Sequence, residues 1–189
     1  MTIRSIIFAG IVGAAMLLSS GCQAPKAGAP LTEKFGADDV DTQLEFWHEL
    51  NSRPMTSNDD AFHGLLLYLD GKDPARNFEE RLSALQSRKI LSTQFKGAAD
   101  DAITRGNLAV MIVRAIDVKG GLVLSTIGPT PRYATRELQF QGIYPTSSSN
   151  QIFSGREYVG IIGRLEDYQR GDAADKRAAQ LPNESSSGK

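Results

Sequence analysis

The chain has 189 residues, 41% of them hydrophobic and 23% charged, which allows a packed core and argues against global disorder. Its 21 basic and 22 acidic residues leave a net charge of −1, which argues against nucleic-acid binding driven by bulk positive charge. One cysteine rules out an internal disulfide and a Cys-rich zinc site, and two histidines are little material for a metal centre.

Arg4 is the only charge before Leu18, and an apolar run follows it over residues 6–18. As a helix that run covers about 20 Å, short of the roughly 30 Å hydrocarbon core. It therefore reads as the h-region of a signal peptide over residues 1–21. The run ends in Leu18-Ser19-Ser20-Gly21-Cys22, which resembles the lipobox of bacterial lipoproteins, with Ser19 where that family usually has leucine. The resemblance implies cleavage before Cys22, diacylation of its sulfur and acylation of the new amine, so that the membrane is a partner through lipid. Gln23, in place of an aspartate, implies the outer membrane if the host is Gram-negative.

Residues 22–37 are rich in Pro, Gly and Ala without hydrophobic period and are expected to form a flexible, lipidated tether. Residues 169–189 are polar and end in a Ser/Gly run; the expectation is a mostly disordered tail, with a short helix over residues 173–180. The folded part is then about residues 38–168.

Within it lies a hidden repeat. Ser57, Thr104 and Ser154 each stand thirteen residues before an aspartate: Asp70, Asp117 and Asp167. Five residues after the hydroxyl come Phe62, Ala109 and Val159; eight after, Leu65, Ile112 and Ile162; nine after, Leu66, Val113 and Gly163. These offsets share one helix face, and each hydroxyl is placed to cap its helix. Glu157 completes a capping box with Ser154, and Asp60 favours the positive helix end. Copy three departs at Glu166, where the others have Leu69 and Ile116. Upstream of each cap is a second helical pattern, over residues 44–50, 78–91 and 133–144, the last able to start at Pro131. The units are helix, loop, capped helix, at about residues 38–70, 75–117 and 131–168. One such pair cannot bury its apolar stripe alone, so three must pack together.

Copy two, Ile103-Thr104-Arg105-Gly106-Asn107, resembles the Ile-Thr-Arg-Ala-Glu motif of S-layer homology (SLH) domains. Gly142-Ile143 resembles the Gly-Ile exit of their first helix. Copy three keeps the glutamate as Glu157 and moves the arginine to Arg156; copy one has no arginine there. The resemblance implies a mainly α fold, three helix-loop-helix units packed as a pseudo-trimer, and binding of a cell-wall or surface polymer. Thr104, Arg105 and Arg156 are the polymer-binding candidates. From the residues themselves, a guanidinium beside exposed helix N-terminal amides suits an anionic polymer group, whereas a solvated surface arginine is the commoner case.

Residues 119–128 form a short β-prone insert without the Gly-Lys-Ser/Thr of a phosphate loop. Asp59, Asp60 and His63, with His48 upstream, lack a third strong ligand for a metal. Trp47 and Phe46 are expected in the core rather than as a sugar platform. No catalytic residue, cofactor or metal is expected. The expected function is a non-catalytic envelope lipoprotein linking membrane to polymer. The alternative is an adaptor that binds another envelope protein through an apolar groove between helices, the repeats being only a scaffold.

Overall fold

The computed structural model describes residues 24–36, 39–116 and 128–180. The signal peptide, Cys22, the β-prone stretch through residue 127 and residues 181–189 lie outside them. The described chain is mainly helical: α1 (Thr32–Phe35), α2 (Val40–Ser52), α3 (Asn58–Asp70), α4 (Phe78–Ser87), α5 (Arg105–Ala115), α6 (Pro131–Phe140) and α7 (Gly155–Gln180). None of the described helices is long and apolar enough to cross a membrane.

The three capped helices are α3, α5 and α7. The Ser57 hydroxyl accepts from the Asp60 amide at 3.0 Å, that of Thr104 from Asn107 at 3.2 Å and that of Ser154 from Glu157 at 3.3 Å. Glu157 answers with a carboxylate oxygen on the Ser154 amide, which closes the capping box. Among the leading helices, Asp39 caps α2 and Asn77 caps α4, while α6 opens on Pro131 without a side-chain cap.

The repeat seen in the sequence is not the packing unit. Each capped helix lies against the leading helix of the next unit: α3 on α4, α5 on α6, and α7 back on α2. The exchange closes on itself, so each apolar stripe is buried by a neighbouring unit. The cap segments interlock through matching backbone bonds. The first amide of α3 donates to Asp101 at 2.8 Å and that of α5 to Gln151 at 2.7 Å, each acceptor standing three residues before the next cap. The second amides donate to Ala99 and Ser149, each five before. In copy three the Gly155 amide reaches Arg53, one residue out of register. Thr56, Ile103 and Phe153, each just before a cap, are fully buried and linked in series: Ile103 N–H to Thr56 O, and Thr56 N–H to Phe153 O.

Close approaches between helices require glycine at Gly155 and Gly64. A Cβ on Gly155 would sit 1.6 Å from the Leu50 carbonyl oxygen, and one on Gly64 would meet Trp47 and Tyr158 at 2.9 Å. Trp47 thus wedges between α3 and α7, stacked on Tyr158 with ring centroids 6.4 Å apart.

Two sequence expectations need correction. The stretch read as a flexible tether is docked from residue 24 onward. Leu31 and Phe35 are buried in the core, the Pro25 carbonyl accepts from the Ala102 amide, and Lys26 pairs with Asp100 and Asp101. The Pro/Gly/Ala composition hid two well-placed apolar residues. In the tail, residues 173–180 are helical as expected, but the helix is not a separate short one: α7 runs unbroken through residues 169–172, Gly171 included, to Gln180.

Candidate functional site

Arg105, the polymer-binding candidate, is the first residue of α5, and it is not the solvated surface arginine of the alternative reading. It is only 6% exposed. Its guanidinium lies 4.6 Å from the centre of the Phe153 ring, and Nη2 donates to Glu157 Oε1 at 2.5 Å. The pair joins copy two to copy three. Burial works against the charged form of Glu157, but the Ser154 amide, Arg105 and the Ser154 hydroxyl outweigh it and hold the carboxyl below its usual range.

The helix end beside Arg105 is not free to take an anion. The Arg105 and Gly106 amides are spent on Gln151 and Ser149, and the Asn107 amide on Thr104. This corrects the expectation of exposed N-terminal amides: the orphan donors of the first turn are satisfied by the next unit's loop. What remains open is the guanidinium, whose Nε and Nη1 are buried without a hydrogen-bond partner. Arg105 and Thr104 line a hollow of about 520 Å³ with Ala24, Asn150 and Gln151. Thr104 also borders a second hollow of about 440 Å³, with Asn58, Lys96, Asn107 and Arg114. Thr104 and Arg105 are therefore brought together, whereas Arg156 is exposed on α7 and does not line the Arg105 hollow.

The acidic cluster of copy one is structural. Asp59 accepts from Arg81 Nη1 at 2.9 Å and from the Thr32 hydroxyl at 2.5 Å. Asp60 accepts from the Leu31 and Thr32 amides at 2.7 and 3.3 Å. His63 Nδ1 lies 2.6 Å from Asp73, which also takes Arg81 Nε. All these side chains except that of Thr32 are buried. Burial opposes ionisation of Asp73, but bonds from His63 and Arg81 prevail and hold its carboxyl low. For Asp60 burial prevails over its hydrogen bonds and pushes the carboxyl up. His48 is exposed and takes no part in the contacts just described. Sequence reasoning missed Arg81 and Asp73, since a charged residue beside a helical stripe carries no sign that it will be buried.

Comparison of the chain with protein-family models, with curated proteins and with solved structures finds no match.

Proposed function

We propose that this chain is a lipid-anchored, non-catalytic envelope protein whose three SLH-like units form a pseudo-trimer and hold an anionic wall or surface polymer at Arg105. The cyclic exchange of helices and the repeated cap bonds support the threefold reading. The observation that carries the ligand reading is Arg105, a buried arginine that lines a hollow and whose guanidinium keeps two nitrogens without a partner. A desolvated arginine with donors to spare strongly favours an anionic acceptor. Lipid at Cys22 would confine the domain to the membrane surface, since two or more acyl chains anchor stably.

The test is a pull-down with purified cell-wall material, comparing wild type with Arg105→Lys and Arg105→Ala, each checked by its melting curve. Retention of wild type with loss in both folded variants is the expected result. Equal, negligible retention of all three overturns the reading. A second reading, that the repeats only scaffold a protein-binding face, is favoured by Val40 and Leu44. They lie one turn apart on α2 and are 72% and 63% exposed. It expects indifference to Arg105→Ala and loss of partner binding in Val40→Glu with Leu44→Glu.

A further inference from the structure

The third copy breaks the repeat at two positions. Offset nine holds Leu66 and Val113 in the first two copies and Gly163 in the third; offset twelve holds Leu69 and Ile116, then Glu166. Both departures fall on one cavity. A hollow of about 380 Å³ between α2, α3 and α7 is lined by Gly163 and Glu166 together with Trp47, Tyr68, Leu67 and Ile162, among others. At Gly163 the space is open, since nothing lies within 4 Å of a Cβ built there. Putting a carboxylate at the next apolar position charged its edge.

At Gly163 a structural role would call for the opposite choice, because an apolar filler stabilises a helix interface and a void weakens it. The volume falls within the roughly 300–1,000 Å³ of small-molecule sites. The Tyr68 hydroxyl is buried without a hydrogen-bond partner; burial first, then the charge of Glu166, pushes it up to about 12. It therefore stays a neutral phenol able to give or accept one hydrogen bond. Glu166 is exposed, and no described cation pairs with it.

From this juxtaposition we infer that the hollow binds a primary alkylammonium, with the alkyl stem on Leu67 and Ile162 and the ammonium between Glu166 and the rings of Trp47 and Tyr68. A carboxylate that shares a hollow with two aromatic side chains attracts a cation through its charge and their quadrupoles. Gln43 also lines the hollow, and a metal ion would need more than one carboxylate. The site is distinct from the Arg105 hollow and does not depend on lipid at Cys22.

Trp47 is the chain's only tryptophan, so its emission reports this hollow alone. Full-length protein in detergent is titrated with n-butylammonium chloride, with n-butanol and sodium chloride as matched controls. A saturable emission change with a millimolar Kd, weakened by added salt, is expected for butylammonium only. Glu166→Leu and Gly163→Val restore the residue types of the other copies and should melt no lower than wild type while losing the response at least tenfold. Glu166→Gln provides the same charge test should Glu166→Leu fail to fold. An equal response to butanol, a response no larger than that to sodium chloride, or an undiminished response in the folded variants overturns the inference.

Discussion

Gly155→Ala tests the interlock between the third capped helix and the first unit. The glycine opens α7 where that helix is pressed on the end of α2. An added methyl would stand 1.6 Å from the Leu50 oxygen and 2.6 Å from its carbonyl carbon. Both are backbone atoms, so no rotamer change relieves the clash, and the two helices must part by roughly 2 Å to regain ordinary contact. That separation strains the Gly155 bond to Arg53 at 3.0 Å and the neighbouring Thr56 bond to Phe153 at 2.9 Å. Overpacking costs about 1–3 kcal/mol and each of the two hydrogen bonds about 1 kcal/mol, so the expected loss is roughly 3–5 kcal/mol. For a chain of this length that corresponds to a fall in Tm of about 6–20 °C. Gly160→Ala supplies the control in the same helix. Nothing lies within 4 Å of its added methyl, and exchanging an interior glycine for alanine should raise stability by about 0.5–1 kcal/mol. Thermal and urea unfolding, followed by far-UV circular dichroism, measure both. Shifts of the same sign and size for the two variants would refute the interlock.

Lys89 has φ of +59°, the left-handed conformation that Gly142 takes at +74° in the next unit, and both exits close the same pattern of bonds onto Leu85 and Leu138. Lys89→Gly should therefore raise stability by about 0.5–1 kcal/mol and Gly142→Lys should lower it, both read in urea melts. Asp73→Asn leaves the buried Arg81 with one carboxylate fewer and should cost about 3–5 kcal/mol at neutral pH. Because the folded carboxyl titrates low, its stabilisation is complete above the unfolded value of about 3.9 and disappears as pH falls through the folded value. The variant should then show a shallower fall in stability below pH 4 than wild type; an unchanged acid limb would sink this assignment. Phe35→Ala, in a segment that composition assigns to a tether, should cost about 3 kcal/mol because the ring is buried; a free tether would show no change in Tm.

The capped helices were legible because capping is local. A hydroxyl, three residues and an amide lie within one turn, and Ser57, Thr104 and Ser154 each carry that signal in a few letters. The leading helices were legible from their apolar period, and Gly142-Ile143 from its resemblance to the Gly-Ile exit of SLH domains; the left-handed turn at Gly142 is seen only in the structure. Neither signal specifies which helix meets which. The handover of α3 to α4, α5 to α6 and α7 to α2 goes with backbone bonds between segments far apart in the chain, such as Asn58 to Asp101 and Gly155 to Arg53, and hydrophobic periodicity is the same whichever neighbour covers the stripe. Arg105 shows the same limit. Its position at the helix start was readable, but its burial depends on Phe153 and Glu157 of another unit, and the fate of its neighbouring amides depends on the Gln151 and Ser149 carbonyls. Composition misled at residues 24–36, where two apolar side chains outweigh a Pro/Gly/Ala background once Asp59 and Asp60 supply acceptors. Gly163 and Glu166 stand out in the sequence alone as exceptions to the repeat. An exception becomes informative only when the fold shows what surrounds it: two isolated departures become one hollow once Trp47 and Tyr68 are placed beside them.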